Sequence, residues 1–173
     1  MIQLLTSPDN QYVKLAASLR QKKYRDETGL FSVEGVRFAK EAVESGWKLQ
    51  FALVSESAVS SAAITELAHK LDMAGCPIFA VPAALYGKIG ETDSPQGISL
   101  IVRQHCQTLA GINLSDANIP WIVLDSLQDP GNIGTMIRTA DAAGAAGVIL
   151  AGNCADVYAG KTARATMGSL FHL

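Results

Sequence analysis

A chain of 173 residues with a formal net charge of −2 has room for one large domain or two small ones, and it exerts no global pull on a polyanion. With 49% hydrophobic and 17% charged residues it is core-forming rather than disordered, and 15 glycines beside only 6% aromatics suit an α/β protein better than a β-sandwich. Cys76, Cys106 and Cys154 form no C-x-x-C pair, and His69, His105 and His172 make no metal spacing with them. The pattern reads as reduced thiols of a cytoplasmic protein with no metal. The first residues show no signal peptide, and no apolar run approaches the roughly 18–20 residues of a membrane span.

In chain order, Ser7-Pro8 reads as an N-cap and first helical residue of a helix reaching about Arg25, with Val13, Ala16, Ala17 and Leu19 as its buried stripe. Gly29 ends that segment. A strand Leu30–Val33, a helix from Val36 to Ser45 stopped by Gly46, and a β-rich run Leu49–Val54 follow. Ile64, Leu67, Ala68 and Leu71 at helical spacing predict a helix over Ala62–Met73. Then come a strand Pro77–Val81, a helix Ala83–Ile89, and a strand Ile98–Val102 entered through the turn-rich Thr92-Asp93-Ser94-Pro95-Gln96-Gly97. Strands alternating with helices give an α/β layer structure over residues 1–105.

Residues 106–118 turn polar and small and read as a linker. A second unit, 119–173, begins with a strand Trp121–Leu124, a loop, a helix Ile133–Ala143, a second strand Val148–Ala151 and a partly helical end. Two strands and one crossover helix bury little core. Either this unit leans on a neighbour or the sequence is a piece of something longer, and we expect the latter.

The segment that carries chemistry is LDSLQDPGNIGTMIRTADAAGAAGVIL, residues 124–150. A strand delivers a turn, Asp129-Pro130-Gly131, to Asn132 as the expected N-cap; Ile133, Met136, Ile137 and Ala140 form the expected buried face of the helix. Arg138 lies off that face. Long helical side chains lean toward the helix N-terminus, and ligands of open α/β sheets sit at the carboxyl edge of the strands, so Asn132 and Arg138 can converge on one ligand. The residues alone leave a plainer reading open: an ordinary turn and cap, with Arg138 paired to Asp141 at i+3 on a solvated surface.

A basic cluster, Arg20, Lys22, Lys23 and Arg25, is interleaved with Tyr24. Residues 1–40 hold seven basic side chains (these four with Lys14, Arg37 and Lys40) against four acidic ones (Asp9, Asp26, Glu27 and Glu34). Cations beside an aromatic ring suit phosphate contact and base stacking, and equally a solvated helix end. Ala155-x-x-x-x-Gly160-Lys161-Thr162 fits a permissive P-loop pattern, but Val157, Tyr158 and Asp156 are ill-suited to cradle phosphate. Catalysis by Cys106 or Cys154 with a histidine has nothing to order the pair.

Asp129-Pro130-Gly131-Asn132-Ile133-Gly134, then Arg138-Thr139-Ala140-Asp141-Ala142-Ala143-Gly144, resembles the first motif of the SpoU/TrmH RNA methyltransferases of the SPOUT superfamily, N-P-G-N-I-G-x-x-x-R-T-A-x-A-x-G. The one departure is Asp129, where that family usually has Asn. Lys161-x-x-Arg164-Ala165-Thr166-Met167-Gly168-Ser169-Leu170-Phe171 is similar to its R-A-S-M-G-S-L-F stretch. Ser7-x-x-Asn10, Lys22-Lys23-x-Arg25, Phe31-Ser32-Val33-Glu34-Gly35 and Ser94-Pro95-Gln96-Gly97 resemble, in order, its substrate-binding domain.

The resemblance implies a ribosomal-protein-like α/β RNA-binding domain, followed by the first part of a SPOUT (α/β knot) methyltransferase domain. It implies methyl transfer from S-adenosylmethionine to a ribose 2′-hydroxyl, with Arg138 matching the catalytic arginine and Asn132 an asparagine that organises the site. Arg20, Lys22, Lys23, Arg25, Arg37, Lys161 and Arg164 are the candidate RNA contacts. The expected partner is RNA, foremost large-subunit rRNA, with a homodimer when the protein is complete. The donor pocket is expected in later motifs, so this chain alone is expected to bind the donor poorly; the alternative is a non-catalytic RNA-binding module.

Overall fold

β3 (Leu49–Ser55) and β5 (Ile98–Arg103) are largely apolar interior strands of the first unit, and helices cover them on both faces. They belong to a five-stranded mixed sheet ordered β1-β4-β3-β5-β2, completed by β1 (Gln3–Leu4), β2 (Leu30–Glu34) and β4 (Ile78–Val81). β3 runs parallel to β4 and antiparallel to β5, with Leu53 opposite Phe79 and Ala52 opposite Leu100. Side chains alternate between faces. Phe51, Leu53, Phe79, Val81 and Ile101 therefore point one way, onto α1 (Gln11–Ser18) and α5 (Ala83–Ile89). Val33, Val54, Leu100 and Val102 lie buried on the other face, toward α3 (Val36–Glu44) and α4 (Ala62–Met73). Full burial of each such side chain stabilises by about 1.5–3 kcal/mol.

The computed structural model describes residues 2–92, 95–105, 107–108, 111–112 and 119–173, in two compact units, Met1–Arg103 and Gln104–Leu173. Cys106, Ser94 and most of the expected linker 106–118 lie outside the described residues. No helix among the described residues is long and apolar enough to cross a membrane.

The expected single helix from Ser7 to about Arg25 is two helices. Asn10, not Ser7, caps α1, accepting from Tyr12 N at 2.9 Å, while Ser7 closes a turn by accepting from Asp9 N at 3.1 Å. The chain turns at Leu19–Gln21 and restarts as α2 (Lys22–Thr28). Arg25 explains the break: it is only 4% exposed, and its Nη1 donates to Leu19 O at 2.7 Å and to Arg20 O at 3.0 Å. Those carbonyls are satisfied without the helix continuing. Gly29 ends α2 in the left-handed conformation, φ 64°, as its position predicts.

The two short motifs of the first unit meet. Gly35 N donates to Ile98 O at 3.0 Å, and Gln96 Oε1 accepts from Val36 N at 3.1 Å, capping α3 from across the sheet. The buried Glu34 carboxylate accepts from Glu91 N at 2.7 Å and from the Thr92 hydroxyl. Gly97 is required: φ is +82°, and a β-carbon there would collide with Ala58 Cβ.

The second unit has two parallel strands, β6 (Trp121–Asp125) and β7 (Gly147–Ala151), paired Trp121 to Gly147. A β-carbon on Gly147 would sit 2.5 Å from the Trp121 ring, so the pairing there demands glycine. α6 (Pro130–Ala142) packs Ile133 and Ile137 on Leu124, with Ile122, Val148, Cys154 and Val157 around them. On the opposite sheet face Val123 is 60% exposed. α7 (Gly160–Ala165) and a 3₁₀ turn (Ser169–Phe171) complete the described chain.

Candidate active site

α6 begins three residues earlier than its apolar pattern suggests. Asp129, not Asn132, is the N-cap: its Oδ1 accepts from Asn132 N at 2.7 Å, and Pro130 takes the first helical position, where no amide hydrogen is needed. Asn132 thus sits in the first turn with its side chain exposed. Asp and Asn are equally good caps, so the departure at 129 keeps the geometry of the motif. Of the expected buried face, Ile133, Ile137 and Ala140 are buried; Met136 is 42% exposed, and Gly134 takes its place. A β-carbon on Gly134 would collide with Ala165 Cβ and lie 2.6 and 2.8 Å from the Ala165 carbonyl carbon and oxygen. The second motif glycine is therefore the seat of α7.

Arg138 follows Gly134 by one turn and emerges exposed beside that contact. Among the described residues it has no hydrogen bond or ion pair. The Arg138–Asp141 pair does not form, because Asp141 is engaged elsewhere. His172 Nδ1 lies 2.9 Å from Asp141 Oδ2, and Ser169 hydrogen-bonds to the same carboxylate. Burial opposes ionisation of Asp141, yet the hydrogen bonds from Ser169 and His172 and the charge of His172 hold its carboxyl below the usual range. Asn132 and Arg138 are separated by about 9 Å along α6 and about 120° around it, so the helix alone does not make them converge. The sequence offered no signal for the Asp141–Ser169–His172 cluster, in which Asp141 is far along the chain from Ser169 and His172 and meets them only through packing of the 3₁₀ turn on α6.

The basic residues fare unequally. Arg25 is withdrawn as a phosphate contact, since its guanidinium is buried on backbone carbonyls. Lys22 is paired with Asp26 at 2.7 Å, and Lys23 with Glu27 at 3.8 Å while lying 5.8 Å from the Tyr24 ring centroid. Arg20, Arg37 and Lys161 are exposed, with no partner among the described residues. Arg164 is half-buried in the last turn of α7.

The loop before α7 is not a phosphate cradle. Ala155 N donates to Leu127 O, Asp156 Oδ1 accepts from Tyr158 N at 2.8 Å, and the Tyr158 hydroxyl donates to His105 O at 2.7 Å. Thr162 is fully buried, with a hydroxyl that finds no partner among the described residues. Cys154 Sγ accepts from Leu127 N and donates to Leu124 O and Ala151 O, tying β6 to β7. Burial pushes the Cys76 thiol up to about 11. Neither sulfur is set up as a nucleophile.

Two family models match this chain: the MRM3-like substrate binding domain over residues 10–99, more than half of its length, and the SpoU rRNA methylase family over residues 120–173. The chain belongs to the SpoU rRNA methylase family. This SpoU-family chain is 34% identical over 169 residues to the 23S rRNA (guanosine(2553)-2'-O)-methyltransferase RlmP of Bacillus subtilis, covering 98% of itself and 62% of that protein. It is also 34% identical to the 23S rRNA (uridine(2479)-2'-O)-methyltransferase of Streptomyces viridochromogenes, covering 58% of it. It superposes on the AdoMet-bound rRNA methyltransferase of Sinorhizobium meliloti with a TM-score of 0.84 at 36% identity, covering 99% of this chain and 63% of that one. The SpoU-family chain thus spans about three-fifths of the length of these relatives.

Proposed function

We propose that this chain supplies the RNA-binding unit and the acceptor-side arginine of an enzyme that methylates a ribose 2′-hydroxyl of large-subunit rRNA. One observation carries the reading: the arginine of the SpoU motif stands exposed and unpartnered among the described residues, beside a carboxylate already taken by other groups. The 23S rRNA 2'-O-methyltransferase activities of the Bacillus and Streptomyces relatives support the choice of substrate.

A ribose hydroxyl is a weak nucleophile until its proton leaves. The Arg138 guanidinium, which stays charged at any working pH, would donate hydrogen bonds to the developing alkoxide and stabilise it as the oxygen–methyl bond forms. Asn132, exposed in the first turn of α6, would orient the sugar. Arg20, Lys22, Lys23 and Arg37 of the first unit, with Lys161 and Arg164 of the second, would meet phosphates and make binding fall with salt.

S-adenosylmethionine is the donor the family implies, and it is bound in the Sinorhizobium structure. The described residues do not fit it by themselves. At the carboxyl ends of β6 and β7, where an open parallel sheet receives its ligand, the side chains of Ser126 and Asp125 crowd Gly152, the Asp125 carboxylate lying 2.6 Å from where a β-carbon on that glycine would be. Titration of this chain with S-adenosylmethionine is accordingly expected to give no one-site isotherm.

The test is methyl transfer from labelled S-adenosylmethionine to 23S rRNA by the intact protein. Arg138→Ala is expected to lower turnover at least about a hundredfold, the usual cost of removing an oxyanion donor, with rRNA affinity changed less than about threefold. Near-normal turnover in that variant removes Arg138 from the chemistry. An intact wild-type protein that binds rRNA and never methylates it leaves an RNA-binding module instead.

A further inference from the structure

Arg138 is the only cation on α6, and Asp141 lies three residues after it, at the spacing where opposite charges on a helix meet. An exposed arginine so placed ordinarily takes that carboxylate. Here the carboxylate is held from the 3₁₀ turn, by His172 Nδ1 at 2.9 Å and by Ser169, and Arg138 has no partner among the described residues. The Asp141 side chain is 26% exposed and His172 46%, so the hold is made at the rim of the unit, next to water.

We propose that Ser169 and His172 are positioning residues: by engaging Asp141 from the 3₁₀ turn they keep it from capturing Arg138 and leave the guanidinium free for a ribose hydroxyl. The inference rests on the reading of Arg138 given above. Two competing donors suffice because the pair they prevent is weak: an exposed helical ion pair shifts populations only a fewfold. The same weakness sets the expected effect. Met167 and Gly168, both at positive φ, make the tight reversal that brings Ser169 back onto α6, so the closing segment is shaped for this contact.

The intact protein carrying Ser169→Ala with His172→Ala is expected to lose about threefold to fivefold in kcat at saturating rRNA, with KM for rRNA unchanged. Adding Asp141→Ala to that variant is expected to restore most of the loss, because the captor is gone. If the clamp were merely structural, removing a third side chain would deepen the defect; a triple variant no better than the double overturns the proposal. Rotation of the Arg138 guanidinium, read by nuclear magnetic resonance, gives a second measurement independent of activity. It should be fast in the wild type, slow in the double variant and fast again in the triple. Equal rates in all three overturn the proposal even if no methyl transfer is seen, and that absence counts only against the enzymatic reading. His172→Asn, whose amide nitrogen replaces Nδ1, is expected to keep the fast rotation; slow rotation there sinks the role of His172.

Discussion

The motif residues of the two units are used in opposite ways. In the first unit Glu34, Gly35, Gln96 and Gly97 spend their hydrogen-bonding capacity on one another's loops, and Arg25 spends its charge on the carbonyls that end α1. In the second unit Gly134 and Asp129 are likewise architectural, yet the same motif leaves the Asn132 and Arg138 side chains exposed and without a hydrogen-bond partner among the described residues. A recurring pattern of residues therefore mixes two kinds of constraint, and burial separates them. What is buried builds the scaffold; what the scaffold leaves exposed, against the usual tendency of charges to pair, is where chemistry is to be sought.

The largest expected effect would break this division. Gly134→Ala must push Ala165 away from α6, and since the clash includes backbone atoms, no rotamer change relieves it. Overpacking of this kind costs about 3 kcal/mol. Each unit contains one of the two tryptophans, Trp47 and Trp121, so Trp47→Phe leaves a reporter for the second unit alone. In that background Gly134→Ala should lower the denaturation midpoint seen by Trp121 sharply. An unchanged midpoint would mean that α7 is not seated on α6.

A smaller effect sharpens the contrast between cations. Arg25→Met keeps the aliphatic stem but leaves the Leu19 and Arg20 carbonyls without their charged donor, at a cost of about 2 kcal/mol. Arg20→Ala, a few residues away and exposed, is expected to stay within about 0.5 kcal/mol of wild type. The salt dependence of rRNA binding should reverse the order, falling in slope for Arg20→Ala and not for Arg25→Met. Identical behaviour of the two variants in both measurements would erase the distinction between structural and ligand-facing cations.

Much of this fold was legible because local signals agreed with tertiary ones. α4 and α5 match their expected bounds, since the 64, 67, 71 spacing and the terminal glycines point the same way as the packing. β1 escaped because two residues carry no alternation, and it exists only by pairing with β4. The split between α1 and α2 was hidden in a long-range property, the burial of Arg25, that charge alone argues against. At the site, the exposure of Arg138 was legible from the helical period. The cap was misplaced although Pro130 signalled it, and helix geometry alone does not bring Asn132 and Arg138 together. The His172 contact was not legible, because nothing in a lone histidine names its partner.

Thr162 supplies a stabilising prediction of smaller size. Its hydroxyl is fully buried with no partner among the described residues, a cost that the methyl group of valine would not carry. Thr162→Val is expected to raise the stability of the second unit by about 1 kcal/mol, read from Trp121. A loss of stability instead would show that the hydroxyl has a partner and that the buried half of this comparison is wrong at that position.

The smallest effect concerns the Asp141 clamp and is a matter of pH. Its carboxyl is held below the ordinary 3.8 by Ser169 and His172, overcoming the opposing effect of burial. A carboxyl depressed in the folded state stabilises it fully above the unfolded value and loses that contribution as pH falls through the folded value. The groups that act on it are Ser169 in the 3₁₀ turn and His172 at the end of that turn. Hydrogen-exchange protection of residues 169–172 should therefore decline as pH falls below about 4. In Asp141→Asn that acid-dependent step should vanish. If the wild type and Asp141→Asn lose protection along the same curve, the 3₁₀ turn is held by Leu170 and Phe171 alone, and Asp141 would be as free to meet Arg138 as any surface carboxylate.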